Sequence, residues 1–454
     1  MKRIALALAG ALFIAGCGDD LIVPDLNNPS LEELTNSPTR AKIGTAATGM
    51  LIGARDGMAA RNGYVSLLGI LGRESYNFDG ADPRFITEML EGELFGSSPA
   101  FGGNLWNQRY RNIRTGEVIL NALENVANMT DPEKEATRGF VKTIQAQDLL
   151  LVINTRDAFG AVIDVDRPPG EEPGAVVAKT EVFTHIATLL DEARVHLQAG
   201  GTAFPFSLSS GFADFNTPAT FLQFNRAIKA RVDVYRDNFA GALAALAASF
   251  VSTTAPLSRG AYHAYSTGSG DDQNALYDPG DEPDILAHRS IVTDAERKLD
   301  GSIDDRVTRK IRTVASQTQR GITTDVAFRI YESLTTPLPI IRNEELILLR
   351  AEANIGLNNL AAAATDINFI RTTSGGLPPL LNFALLTQDQ ARTELLKQKR
   401  YSLMFEGGHR WIDMRHYNRL AQLPLDVQTH RVNPRFPIPE AECLPRATKP
   451  AGCQ

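Results

Sequence analysis

The sequence has little of what usually announces chemistry. Of its 454 residues, 3 are cysteine, 2 are tryptophan and 7 are histidine. Three cysteines exclude a disulfide-rich scaffold and most cysteine-based zinc modules. No excess of positive charge is present: 46 Lys and Arg face 53 Asp and Glu, a net charge of −7. Without a basic stripe, nucleic acid is not an expected partner. The motifs His-Glu-x-x-His and Gly-x-Ser-x-Gly and a phosphate-binding glycine loop are missing. The histidines (His185, His196, His263, His288, His409, His416 and His430) are scattered. No catalytic residues, metal ligands or cofactor are therefore expected. What remains is an ordinary globular composition, 43% hydrophobic and 22% charged, in a chain long enough to bury a large core.

The first residues indicate destination. Lys2 and Arg3 precede an apolar run from Ile4 to Ala15. That run is shorter than the ~20 residues of a transmembrane helix, and no later run reaches that length, so it reads as a secretory signal. It ends Ile14-Ala15-Gly16-Cys17, which resembles the lipobox of bacterial lipoproteins. The resemblance implies a signal peptide over 1–16, lipidation (palmitate among the acyl chains) at Cys17, and an extended tether over 17–30. Acyl chains would hold the protein on a membrane without crossing it. Gly18-Asp19-Asp20 resembles a surface-export signal. Cys443 and Cys453 either bridge in a small tail loop or remain two thiols; outside the cytoplasm a bridge is the favoured state.

Helical spacing dominates the remainder, 31–454, read as a single domain. Ile113, Val118, Ile119 and Leu123 predict a helix within 105–129. Asp131-Pro132-Glu133 predicts a helix start, continuing through Phe140, Ile144, Leu149 and Val152, and Thr180 to Leu197 predicts another. Two segments repeat one design. Ala230, Ala242 and Leu246 recur as Ala351, Ala363 and Ile367, each 121 positions later, with an Asx-Asn pair between the helices of each copy. Small residues allow close helix approach, so this is the layout of a tetratricopeptide-like pair. The expected fold class is all-α, with tetratricopeptide-like helix pairs and long irregular insertions near 60–104, 200–218 and 252–340.

Residues 395–417, LLKQKRYSLMFEGGHRWIDMRHY, contain Arg400, Leu403, Phe405-Glu406-Gly407, Arg410-Trp411 and Asp413. With the later Phe436-Pro437-Ile438-Pro439, Trp106 and Tyr110, and the Asp157-Ala158-Phe159-Gly160 turn, this run resembles the SusD/RagB family of outer-membrane nutrient-binding lipoproteins. The resemblance implies a surface protein that captures an oligosaccharide or peptide and passes it to a SusC-like TonB-dependent transporter. It implies no reaction, and a structural role for Glu406, Arg410 and Asp413 in pairing or capping helix ends. The chain has Lys399-Arg400 and Ser402 where the family usually has Glu-Arg and a later Glu, so two acidic residues are replaced, at Lys399 and Ser402, and Arg400 is kept.

By the same resemblance, ligand-binding residues map onto Arg73, Tyr76, Asn77 and Arg84, then Phe101 and Asn104 after the loop 95–100, with Tyr262 and Tyr265 completing a wall. Aromatic faces against sugar rings, with amides and arginines on hydroxyls, are what such a site requires. The acidic loop 271–284 lacks the ordered spacing of a calcium loop. Two other functions remain open: a periplasmic helical-repeat scaffold binding other proteins, and a glycosidase using carboxylates such as Asp79, Asp82 and Glu88.

Overall fold

The computed structural model describes residues 31–94, 101–168 and 170–453. The signal at 1–16, Cys17, the tether 17–30 and the loop 95–100 lie outside the described residues. The main helices are α1 (Leu31–Asn36), α2 (Arg40–Arg55), α3 (Tyr64–Leu71), α4 (Asn104–Asn125), α5 (Asp131–Arg156), α6 (Lys179–Ala199), α7 (Pro218–Tyr235), α8 (Phe239–Ala247), α9 (Asp305–Lys310), α10 (Asn343–Gly356), α11 (Leu360–Thr373), α12 (Gln388–Ser402) and α13 (His409–His416). Each long helix has a local cause. Thr130 and Glu133 form a capping box at α5, with Pro132 in the first turn; the cap falls one residue before the expected Asp131. Thr217 with Pro218 opens α7, and Thr387 with Gln390 opens α12.

The helices pack in sequence, α4 on α2, then α5, α6, α7, α8 and α10, with α11 and α12 on α10. α13 follows α12 and touches α3, bringing the two ends of the chain's helical part together. The two expected pairs are helix hairpins with the same turn. Asp237 and Asn358 take left-handed backbone, φ 56° and 58°. The next amide in each turn reaches back in the same way, Asn238 N to Asp233 O at 2.8 Å and Asn359 N to Asn354 O at 2.7 Å. Ala230, Ala351, Ala242 and Ala363 are fully buried, where only small side chains fit between helices.

The expectation of an all-α chain is corrected by three small antiparallel sheets. One runs in the order β1 (Ser75–Asn77), β5 (Ile285–Ala287), β7 (Ile322–Phe328), β6 (Ile311–Gln319). The others pair β2 (Ala161–Val162) with β3 (Val176–Val177), and β4 (Gly260–His263) with β8 (Leu338–Arg342). So 252–340 is partly sheet. The hairpin β6–β7 turns at Arg320-Gly321, both with positive φ, 48° and 83°, as a two-residue turn joining twisted strands requires. Most of β6 is polar and half-exposed, which hides it from a search for apolar alternation. The segment 200–218 also differs from a functional loop. Phe204, Phe212 and Phe215 are buried, with Phe212 5.2 Å from Phe224 and Phe204 5.5 Å from Phe221; these rings pin the segment to α7.

Candidate functional site

A cleft of about 530 Å³ opens where β4 and β8 meet α9, α10 and the 371–375 turn. That volume suits a small ligand. A bulge between Ala261 and Tyr262 shifts the register, so that Tyr262 stands opposite Pro339, and bulges commonly re-aim a side chain. Tyr262 lines the cleft half-buried, its hydroxyl donating to Ser258 O. Arg309 and Lys310 come from the last turn of α9, and Arg342 from the end of β8.

The cleft floor is a saturated ion-pair network. Arg342 donates to both oxygens of Glu406, at 2.8 and 2.9 Å, and also to Glu344. Lys310 Nζ donates to Glu406 Oε1 at 2.9 Å and to Ser402 O at 2.6 Å. Ser374 Oγ donates to the remaining oxygen of Glu344 at 2.6 Å. Burial disfavours ionised Glu344, but Arg342 and Lys310 outweigh it and bring its pKa down to about 2. Burial likewise opposes ionisation of Glu406, and Arg342 and Lys310 hold it below the usual range. Burial pushes Lys310 down, with Glu406 opposing. Both carboxylates are thus fixed anions with every oxygen occupied, unsuited to exchanging protons with a substrate.

Other motif residues are equally committed. Lys399 is buried between Glu352 and Asp413, at 2.9 and 2.8 Å, and Ser402 Oγ accepts from Arg306 at 3.1 Å. The departures at 399 and 402 therefore form different pairs and leave no gap. Arg410 Nε donates to Gly72 O at 2.9 Å, capping α3.

The structure scatters the residues expected to bind ligand. Arg73, Tyr76, Asn77, Phe101 and Tyr265 are buried, which corrects their placement on an open ligand wall. Arg73 spends its guanidinium on the carbonyls of Ile70, Pro424 and Arg431. Tyr76 donates to Asp426 at 2.7 Å and stacks on His288, centroids 5.2 Å apart. Asp426 also meets His288 Nε2 at 3.0 Å and His430 Nδ1 at 3.6 Å. Burial works against its charge, but the two histidines and Tyr76 keep Asp426 well below the usual carboxylate range. Asn77 lies in β1 and its side chain accepts from Asp79 N at 3.0 Å. Phe101 packs on Phe85, 4.8 Å between centroids. Tyr265 lies under Arg55, 5.7 Å from its ring.

Arg84 and Asn104 remain at the surface. Arg84 pairs with Asp82 at 2.7 Å and lies 5.2 Å from the Phe101 ring; Asn104 begins α4. Tyr262 is thus the expected aromatic that borders an open cleft, apart from Arg84 and Asn104. The sequence reading missed Arg309, Arg342 and Glu406 as cleft residues. The adjacent pair Arg309-Lys310 after Asp304-Asp305 was the available signal. In the acidic loop, Asp271 and Asp272 pair with Arg55, and Asp278 and Asp284 with Arg61. Among the described residues, no group of three or more His, Cys, Asp or Glu is arranged to hold a metal, and no helix is long and apolar enough to cross a membrane. Asp79 and Asp82 accept backbone amides of their own turn. Cys443 and Cys453 are joined in a disulfide.

Residues 310–433, which supply Lys310, Arg342, Glu344 and Glu406, match the model of the SusD family. The SusD/RagB resemblance is borne out. The fold is shared along nearly the whole chain. A SusD superfamily protein from Bacteroides vulgatus matches with a TM-score of 0.68 at 15% identity, over 91% of this chain and 99% of that one. A SusD-like carbohydrate-binding protein from Bacteroides fragilis matches at 0.64 and 15% identity, over 86% and 88%. A laminarin-binding SusD-like protein matches at 0.58 and 16% identity, over 90% and 99%. No curated protein matches the sequence.

Proposed function

We propose that this SusD-like chain is a surface lipoprotein that captures a nutrient oligosaccharide and passes it to a TonB-dependent transporter. One observation carries the reading: an open cleft with an aromatic wall, set over a floor whose acids are all neutralised, within a SusD-like fold. Such a cleft can hold a polar ligand by stacking on Tyr262 and hydrogen bonding at its rim, with no group poised for bond cleavage. Two structural relatives are described as carbohydrate- and laminarin-binding, which favours a glycan over a peptide. Arg84 and Asn104, both at the surface, are kept as further ligand contacts outside this cleft. The paired hairpins 121 residues apart support a tetratricopeptide-like core within one domain spanning 31–454.

Titration calorimetry of the mature protein against oligosaccharides and peptides tests the reading. Tyr262→Ala should weaken glycan binding about tenfold with an unchanged thermal midpoint. Binding of peptides and no glycan would overturn it. Palmitate labelling of wild type and Cys17→Ala tests the anchor, and detergent extraction with recovery of a β-barrel transporter tests the partner. A protein wholly protected from protease on intact cells would favour the periplasmic scaffold.

A further inference from the structure

Resting on the cleft assigned above, we infer that its ligand is an acidic glycan, an oligosaccharide whose sugar carboxylate is held by Arg309. The charges lining the cleft do not cancel. Arg309, Lys310 and Arg342 are three cations, against the two carboxylates of Glu344 and Glu406.

Both acids are already spent. Each oxygen of Glu406 accepts from Arg342, and one also from Lys310. Glu344 accepts from Arg342 and from Ser374. Arg309 donates only to neutral acceptors, Ser374 O at 2.9 Å and Ser374 Oγ at 3.2 Å, both through Nη2. Among the described residues, no carboxylate lies within ion-pair reach of it. Its guanidinium is exposed at the cleft, and its other edge matches a carboxylate geometrically.

Ser374 connects the two halves of this arrangement. It donates to Glu344 and accepts from Arg309, so Nη2 is fixed against the floor, while Nε and Nη1 make no hydrogen bond among the described residues and remain for the ligand. A chain of net charge −7 repels anions at long range. A local surplus of one positive charge, walled by protein, is what would draw an acidic group into this one place. Tyr262 would stack on the sugar ring while Arg309 takes its carboxylate.

The test is calorimetric titration with oligogalacturonate, oligoglucuronate and alginate oligomers, each beside its neutral methyl ester, and with neutral glucans. Wild type should bind at least one acidic oligomer tenfold or more tightly than its ester, and the advantage should shrink with added salt. Arg309→Gln should abolish that advantage while the thermal midpoint and Arg342–Glu406 pairing are kept; Arg309→Lys should restore part of it. Equal affinity for acid and ester, an advantage that survives Arg309→Gln, or binding of neutral glucans alone would overturn the inference and leave the nutrient-binding function standing. No binding to any glycan would overturn both.

Discussion

Two regions of this molecule, the hairpin α7–α8 and the hairpin α10–α11, share a backbone plan and differ in charge at its joints. The shift of 121 positions puts Arg231 in register with Glu352. Arg231 reaches forward to Glu345 on α10, at 2.6 and 2.7 Å. Glu352 reaches forward to Lys399 on α12, at 2.9 Å. The position keeps its role of joining one hairpin to the next element, while the sign of its charge is reversed. The repeat is therefore defined by small residues and the turn. The chemistry of the joint need only be complementary.

The joints also differ in ratio. Arg231 meets one carboxylate side-on, Nε and Nη2 each donating to one oxygen of Glu345. Lys399 is shared between Glu352 and Asp413. At the first joint burial opposes ionised Glu345, but Arg231 keeps it below the ordinary range. At the second, burial raises Asp413; Lys399 pulls it down, the charge of Glu352 raises it again, and it rests at about 7. Two acids to one buried cation is an unbalanced joint, and one acid to one cation is a closed one.

The largest expected effect comes from removing the shared cation. Lys399→Ala strands two buried acids and should cost about 3–5 kcal/mol in urea unfolding. A loss below ~1 kcal/mol would mean the joint is wet and the comparison fails. Next comes pH. Asp413 binds its proton more tightly folded than unfolded, so its contribution is full below its ordinary value of 3.8 and is lost as pH rises through about 7. Glu345 does the reverse: its contribution is present above its ordinary value of 4.5 and is lost as pH falls through its depressed folded value. Asp413→Asn should flatten the alkaline decline in thermal midpoint, and Glu345→Gln the acid decline. Parallel changes in both variants would break the distinction. The smallest effect concerns the helix ends that the shift equates, Tyr235 and Gly356. A Cβ at Gly356 runs into the Phe239 ring, so Gly356→Ala should cost about 1–3 kcal/mol, with Phe239→Leu in the same chain recovering most of it.

The hairpins were legible in the sequence because their determinants are local. Ala230 and Ala351 mark close approach, and the Asx-Asn pairs mark left-handed turns. The strand β6 was not legible, because Thr313, Gln317 and Gln319 are polar and their ladder depends on β7. The candidate site was half legible. Tyr262 does border a cleft, but Arg73 and Tyr76 look the same in a local reading, as an arginine and an aromatic near turn residues. What buries them is distant: Tyr76 finds Asp426 350 positions later, and Arg73 finds Arg431 358 positions later. Arg309 was passed over because its meaning lies in what surrounds it. Its neighbours in space are matched with one another, and a one-dimensional string does not show which charge is left over.

The bonds from residues 72–92 to residues 405–433 have a consequence for how the chain comes into being. Arg410 holds Gly72, the amide of Phe405 reaches Glu74, Asn433 holds Met89, and Arg431 N donates to Leu90 O. A polypeptide made from its amino end must carry Arg73 and Glu74 as unmatched polar groups until more than 300 further residues have followed. Closing so wide a loop is slow, and apolar surface waits uncovered meanwhile. A premature stop near residue 400 would remove these partners of Gly72, Glu74, Met89 and Leu90, and leave the first part of the chain held by its pairing with residues 285–287 and its packing on α4.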